Sequence, residues 1–540
     1  MVLEDLERRD LIRREPTSRL EGDVEFRFKH ALIRDVAYGT LPRATRRRLH
    51  AATARFVEEH TNGAESVAWV LAHHWREANE PARALPHLLA AAAIAQQSWA
   101  TEAAVDLYSQ AIELAGDDAT RARVRLRRAF ALCAFDEYPA ALDDLEPILP
   151  ELEGSDLLDG LLFAGKAYVW TERDRDVLET AQRALEYARS LEDEDGEIAA
   201  TALVSEGLAM RGDEGDIDRA IELGDVALAR WRTGRREFER ADHSHIHGDL
   251  KYWVGDYERT LELGTAAHEL GGEVHSMEAM LRGGGLQAMA LTGLGKHEEA
   301  LAKVGTVIDA AKELGRKPRY LLNYASMIHR ELNDLSVARR QSEEVLEIAR
   351  ADSFGMPRRF AQSDLLQTAL LEGDIGRAQV EWPRFWEDAE EATAWTKWLI
   401  RGRLAAARAE IALHAETPEA AIEWAQKAIE TAVSTRRRKY EALARTTLGV
   451  ALARLGRRNE AIAELEAAVR IADGLIGPPA RFRARAALAR VAYALGDDDR
   501  AATATSEARE LVDGFVATLA PERADLVRAS PVVRELFASS

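Results

Sequence analysis

Over 540 residues there is a single cysteine, Cys133. No disulfide framework can form within the chain, which fits a reducing, cytoplasmic setting. Cys133 lies in an apolar helical pattern with no base in sequence reach, so it reads as a small core residue rather than a nucleophile. Long apolar runs are missing too. The longest, Leu88 to Ala95, falls well short of the roughly 20 residues a membrane helix needs. Met1 to Asp10 is charged and does not have the form of a signal peptide. Positive charge is in deficit, with 72 Lys and Arg against 92 Asp and Glu. The resulting net charge of -20 favours solubility and on average repels nucleic acid. There is no G-x4-G-K-[ST] phosphate loop. The nearest string, Thr292-Gly293-Leu294-Gly295-Lys296-His297, lacks the first glycine and the hydroxyl residue that would hold Mg²⁺. No paired acid and base, and no nucleophile with an orienting base, is visible, so an enzyme reading has no supporting constellation. No motif implies a cofactor.

What is abundant is alanine, leucine, glutamate and arginine, which favour helix. The stretch Leu448 to Asp473 shows how the helices pair. Leu448-Gly449, Leu452, Leu455-Gly456, Ala461, Leu465 and Ala468 follow the tetratricopeptide spacing. Gly449 and Ala461 are small where two antiparallel helices cross closely, and Leu452 and Leu465 fill the space beside the crossing. Gly456 can end the first helix in a left-handed conformation at no steric cost. The first small residue after each turn recurs at Ala104, Ala141, Val177, Ala220, Thr260, Ala300, Ala338, Ala378, Ala421, Ala461 and Ala501. Turn residues keep phase five positions earlier, at Gly215, Gly255, Gly295, Asn333, Gly373, Gly456 and Gly496. The steps run from 36 to 43 residues, longer than the ~34 of the short tetratricopeptide form. A single hairpin cannot bury its apolar face alone, so the pattern predicts a stacked array.

Residues 1–60 do not follow the repeat, and their charge is nearly balanced, 13 basic against 11 acidic residues. A short helix from Val2, strand-like segments Leu11–Arg14 and Val24–Phe28 about a turn-rich link (Pro16, Ser18, Gly22, Asp23), then helices from His30 and Arg43 predict a winged-helix-like module. Phe26, Phe28, Val36, Tyr38, Leu49, Phe56 and Val57 are expected to face inward. Residues 61–118 lead into the array, with Trp69, His73, His74 and Trp75 on one helix. Repeats occupy 119–514, and 515–540 close the stack with helices from Pro521 and Pro531.

Here the residues carry a resemblance. Phe26-Arg27-Phe28-Lys29-His30, Leu32-Ile33-Arg34-Asp35-Val36-Ala37-Tyr38, Leu41, Arg47 and Leu49-His50 resemble one segment of the bacterial STAND-type signal-transduction ATPases. The branch is that associated with class III adenylate/guanylate cyclases and related to the maltose-type transcription activators. Leu71-Ala72-His73-His74-Trp75 and Pro81-Ala82-Arg83-Ala84 are similar to that family's first sensor-arm repeat, and Arg528 to Leu536 to its C-terminus. The resemblance is specific over residues 20–90 and architectural beyond. It implies the C-terminal part of such a protein, a winged helix plus a sensor arm. The nucleotide-binding domain is expected before residue 1, and no cyclase or LuxR-type DNA-binding domain is seen.

Several strings are candidate sites. His243 and His247, four apart in Asp242 to Asp249, share a helix face and could chelate a metal with a third ligand such as Asp249 or His275; solvated or hydrogen-bonded histidines are the bland alternative, and His245 lies on the other side. Arg282-Gly283-Gly284-Gly285 signals either close helix packing or a ligand against bare backbone. Trp382, Phe385, Trp386, Trp395 and Trp398 are dense for a chain with 6% aromatics, and read as core or as a partner surface on the inner wall. Arg436 to Lys439 reads as solvated charge or an anion contact. Arg43 and Arg46 to Arg48 invite a DNA reading, which the mixed, apolar Arg34 to Tyr38 stretch opposes.

The expected fold is all-α, a tetratricopeptide-like helical-hairpin superhelix preceded by a small winged-helix-like module. The expected function is non-enzymatic binding in the concave groove of a sensor arm, with His243, His247, Arg282, Gly284, Trp382, Trp386 and Trp395 as groove residues. A protein or small-molecule signal would be bound there, and an upstream nucleotide-binding domain would be regulated. A free-standing scaffold joining protein partners and a winged-helix transcription regulator are the alternatives.

Overall fold

The computed structural model describes residues 2–16, 24–61, 67–350, 355–390 and 392–538. It begins with α1 (Val2–Arg8), strands β1 (Ile12–Arg14) and β2 (Phe26–Phe28), α2 (Ala31–Gly39), α3 (Arg43–His60), α4 (Ala68–Glu77), α5 (Pro81–Gln97) and α6 (Thr101–Leu114). Helical hairpins follow: α7 (Asp118–Ala134) with α8 (Tyr138–Ile148), α9 (Gly154–Trp170) with α10 (Asp174–Ser190), α11 (Glu194–Arg211) with α12 (Asp216–Arg230), α13 (Glu237–Val254) with α14 (Tyr257–Glu273) and α15 (Met277–Gly293) with α16 (His297–Glu313). The series continues with α17 (Arg319–Glu331) and α18 (Leu335–Ala349), α19 (Gly355–Glu372) and α20 (Ile375–Glu390), α21 (Ala394–His414) and α22 (Pro418–Ser434), α23 (Arg438–Arg454) and α24 (Arg458–Asp473), and α25 (Pro478–Ala494) and α26 (Asp498–Val516). It ends with α27 (Pro521–Arg528) and α28 (Pro531–Ala538). The architecture is an all-α tetratricopeptide-like array. Among the described residues no helix is long and apolar enough to cross a membrane.

The repeat marks explain why hairpins form. All eleven small residues from Ala104 to Ala501 are buried on the second helix of their hairpins. The turn glycines and Asn333 all have positive φ, from 60° at Asn333 to 95° at Gly255. Trp99, Asp136, Glu172 and Glu416 hold the same place, five before Ala104, Ala141, Val177 and Ala421, also with positive φ. At the Gly449 crossing a built Cβ would stand 2.5 Å from Leu465 Cγ and 3.0 Å from the Ala461 carbonyl oxygen, so no larger residue fits without movement. Asp117, Asp193, Asp256, Ser276 and Asp497 start their helices by accepting from backbone N–H groups one turn on.

The chain divides into two compact units, residues 1–163 and 164–540. In the first, β1 and β2 pair antiparallel with Ile12 opposite Phe28; Ser18, Gly22 and Asp23 of the expected link lie outside the described residues. Ala54 and Val57 of α3 pack with Leu71 and Trp75 of α4 and Ala84 of α5, and the Trp75 indole N–H donates to Glu58 at 2.7 Å. Arg128 joins α7 to α8 through two bonds to Asp144, at 2.7 and 2.6 Å. Cys133 is fully buried. Phe28, Val36, Tyr38, Leu49 and Phe56, expected inside, are instead exposed, and only Val57 of the α3 set is in the core. The α2 stripe has the helical spacing of a core face, yet among the described residues no element covers Leu32 and Val36, which are 75% and 61% exposed.

Within residues 164–540 the first helices of successive hairpins form an inner wall. Helices far apart in sequence meet across it. Thr396 and Arg359 both bond Glu172 at 2.9 Å, the Trp398 indole donates to the Ala209 carbonyl, and Asn333 donates to the Leu526 carbonyl at 2.9 Å.

Candidate functional site

The inner wall is packed with side chains, and it encloses a cavity of about 50 Å³. Trp170 at the end of α9, Trp253 on α13, Tyr320 and Tyr324 on α17, Phe360 on α19 and Trp395 on α21 form its aromatic walls. Its polar groups are His245 and Asp249 on α13, Arg282 on α15 and Asn323 on α17. The Arg282 guanidinium carbon stands 3.5 Å from the Trp170 ring centre and 4.3 Å from that of Tyr320. Trp170 also stacks with His245, ring centres 5.7 Å apart. Asn323 donates to the Pro357 carbonyl at 3.1 Å, which leaves its buried Oδ1 without a protein partner among the described residues. His245 Nδ1 is likewise buried and unpartnered, while its Nε2 lies 3.2 Å from Asp249. Buried acceptors and donors of this kind call for a water or a ligand group.

Beneath the cavity lies a buried charge network. Lys166 contacts Asp242 at 3.0 Å and Glu278 at 3.3 Å, and Arg282 Nε is 3.1 Å from Glu278. Burial pushes the Asp242 carboxyl up, whereas Lys166 and Arg282 hold Glu278 down against the same cost. This pins Arg282 by one edge, so its flat face stays against the two rings.

A second network fills the wall beyond Trp253. Arg330 (2.9 Å) and Arg403 converge on Asp364. Arg437, 1% exposed, donates to the Trp398 carbonyl at 2.9 Å and lies 4.0 Å from the Tyr440 ring centre. Burial pushes the Arg437 guanidinium down to about 10. Lys439 pairs with Glu331, which also meets His297 at 3.0 Å. The run Arg436 to Lys439, expected as solvated charge, is therefore divided, with two of its four residues drawn inward as a clamp. Arg437 and Lys439 point into the wall, while Arg438 is exposed and Arg436 lies outside on Asp218 at 2.6 Å.

Of the residues singled out from sequence, Arg282, Trp395 and Asp249, the last weighed as a third metal ligand, line the cavity. His243 and His247 do not. His243 Nδ1 is 2.7 Å from Glu206, and His247 Nε2 is 3.0 Å from Asp225, which Lys251 also holds at 2.7 Å. Each histidine thus has its own carboxylate, and the pair is not arranged around a common ion. Gly284 serves packing: a built Cβ would meet Val307 at 2.7 Å, and its neighbours Gly283 and Gly285 would meet α14 backbone and Leu321. Trp382 and Trp386 stack at 5.3 Å and meet Trp424 edge-on, between α20 and α22.

No family model and no curated protein matches the chain. Solved structures do resemble it. The Rap protein complexed with competence and sporulation factor is 13% identical, with a TM-score of 0.47 over 74% of this chain and 99% of that one. The APC/C hetero-tetramer Cut9-Hcn1 is 16% identical (TM-score 0.36, 90% and 93% covered), and yeast Tom70 is 14% identical (0.35, 88% and 99%). At these identities the likeness concerns helical-repeat architecture alone.

Sequence reasoning set His245 on the other side from His243 and His247 without assigning it a role, and it passed over Trp170, Trp253, Tyr320, Tyr324 and Phe360. A signal for them existed. Trp170 and Trp253 each sit two residues before a left-handed turn residue, Glu172 and Gly255. His245 and Asp249, Tyr320 and Tyr324, and Met356 and Phe360 are i,i+4 pairs on first helices.

Proposed function

We propose that this chain is a non-enzymatic binding arm that takes one side-chain group of a protein or peptide partner into the inner-wall cavity. The observation that carries this reading is an aromatic-walled space with two buried, unpartnered polar atoms, Asn323 Oδ1 and His245 Nδ1. Its size decides between ligand classes. Pockets for whole small molecules run to about 300–1,000 Å³, so a space of about 50 Å³ suits the tip of a larger ligand. Aromatic rings held by packing recognise such a tip at little entropic cost.

The finer reading is that the arm belongs to a signal-transduction ATPase of the STAND type, with residues 1–60 as a winged-helix hinge toward a nucleotide-binding domain. It is supported by the resemblance over residues 20–90 and by the helix, hairpin, helix order of the first unit. The exposed apolar side chains of α2 suit a hinge that packs on another domain. In that setting the arm is cytoplasmic, and binding in the cavity relieves inhibition of the ATPase.

Tryptophan emission tests the cavity directly, because Trp170, Trp253 and Trp395 line it. The purified chain is titrated with the N-acetyl amides of valine, leucine, methionine and phenylalanine. At least one should give a saturable millimolar response that Tyr324→Ala or Asn323→Leu weakens several-fold. A response that is linear for all four, or unchanged in both variants, would overturn the assignment.

A further inference from the structure

We propose that His50, His73 and His74 form a binding site for a transition-metal ion of the Zn²⁺, Co²⁺ and Ni²⁺ class. His50 comes from α3, and His73 and His74 from α4. One ring nitrogen from each lies within 4.8 Å of the other two. The ring centres are 5.0 Å apart for His50 and His74, 5.7 Å for His50 and His73, and 5.3 Å for His73 and His74.

The nitrogens are oriented for an ion. His50 Nδ1 and His74 Nδ1 face each other at 2.7 Å, so one lone pair points at the other ring and the two share a single proton. A metal ion can take that proton's place. Ligands on a tetrahedral ion with bonds of about 2.0–2.1 Å stand roughly 3.4 Å apart. The close pair therefore opens by about 0.7 Å and the third nitrogen moves in. His73 is exposed, so its ring is free to turn. Its neighbours are half-buried, which leaves one side open to solvent for the ion to enter. Once the ion is bound, the displaced proton moves to the outer nitrogen of the same ring, and each imidazole stays neutral.

His50 also has the outer partner that metal-bound histidines usually have. The Tyr38 hydroxyl lies 3.0 Å from His50 Nε2. Accepting from Nε2–H, it fixes the tautomer that presents Nδ1 to the ion. Arg46 sits 5.0 Å over the Tyr38 ring and opposes a cation, and Glu77, one turn beyond His73 and His74, offsets it. A water is the fourth ligand. Three imidazoles with no oxygen cage favour zinc, cobalt, nickel or copper and exclude calcium and magnesium. His243 and His247, by contrast, are each engaged by a separate carboxylate.

The consequence is mechanical. The ion would tie α3 to α4 beside the exposed side chains of Leu49 and Trp69. Metal status would then set how rigidly α3 is held.

The test uses the full chain stripped with a chelator. Co²⁺ should bind with one equivalent and give the visible absorption bands of a tetrahedral site, and Zn²⁺ should displace it with micromolar affinity or better. His50→Gln, His73→Gln and His74→Gln should each weaken binding by at least tenfold, and Tyr38→Phe by less, while His60→Gln leaves it unchanged. Hydrogen exchange should slow in α3 and α4 when Zn²⁺ is added. No saturable binding below about 100 µM would overturn the proposal, as would binding by the three histidine variants as tight as that of the parent chain.

Discussion

Trp398 of α21 donates its indole N–H to the carbonyl of Ala209 in α11, 3.1 Å away and 189 residues earlier in the chain. Gly212 makes the approach possible. Its φ is 60°, and a Cβ there would stand 2.3 Å from Trp398 Cδ1. Lys397 with Asp213 at 2.5 Å flanks the contact. Distant helices of the array are thus locked together, which a quasi-linear stack with nearest-neighbour contacts alone does not provide.

Gly212→Ala should therefore cost about 2–4 kcal/mol, from a left-handed alanine and an overpacked ring. Gly215, φ 83° with nothing within 4 Å of a built Cβ, is the control. Gly215→Ala should cost only about 1–2 kcal/mol, the backbone part alone. Hydrogen exchange reads both locally. Equal losses of protection in α11 and α21 for the two variants would mean that the Trp398 contact contributes nothing.

The clamp of Arg330 and Arg403 on Asp364 makes a different prediction. Asp364→Asn leaves two buried guanidinium groups without their counter-charge, and should destabilise by about 3–5 kcal/mol. Removing the Arg403 charge as well, as Asp364→Leu with Arg403→Met, should recover part of that loss, because a buried ion pair is seldom better than apolar packing of the same volume, with Arg330 still lacking its counter-charge. Urea unfolding of the single and double variants separates the cases. A double variant as unstable as the sum of its singles would show that the network does more than compensate buried charge.

The hairpins were legible because their signal is local. A small residue at a helix crossing and a left-handed residue five positions earlier are properties of one hairpin, and Ala461 and Gly456 show both. Where the left-handed place is filled by Trp99, Asp136, Glu172 or Glu416, the glycine mark is missing and only the spacing of the alanines carries the phase. The cavity was not legible, because it forms where helices distant in sequence meet. Trp395 and Trp170 share it, yet 225 positions separate them, and no helical period links them. The first sixty residues misled in another way. Periodicity gives Val36 and Leu49 an apolar face, but a face is buried only when something covers it, and both are exposed.

The array's own cooperativity can be tested at Ala461, fully buried against Gly449 and Leu465. Ala461→Trp overfills that crossing. Protection should fall first in α23 and α24 and spread to the hairpins they touch, with α7 and α8 least affected. An even loss from residue 120 to 510 would show that the array unfolds as one body.

The last prediction concerns pH and His247. Its ring fits only because residue 224 is glycine, where a built Cβ would stand 2.3 Å from Nδ1. Burial lowers the His247 pKa to about 4, with His243 and Lys251 adding to the effect and Asp225 opposing it. In the unfolded chain a histidine titrates near 6.5. Between about 6.5 and 4 the unfolded state therefore binds the extra proton, and stability falls as pH falls through that window. The full effect is about 3 kcal/mol, of which about 2 kcal/mol is gone by pH 5. Asp225, held at about 2 against its burial by His247 and Lys251, loses its own contribution only below about 4, so it does not blur the window. His247→Gln keeps an amide that can still donate to Asp225 but removes the titration. Urea midpoints measured at pH 7 and pH 5 should drop less in the variant than in the parent, by about 2 kcal/mol. Parallel drops would show that His247 is protonated as readily in the folded chain as in the unfolded one.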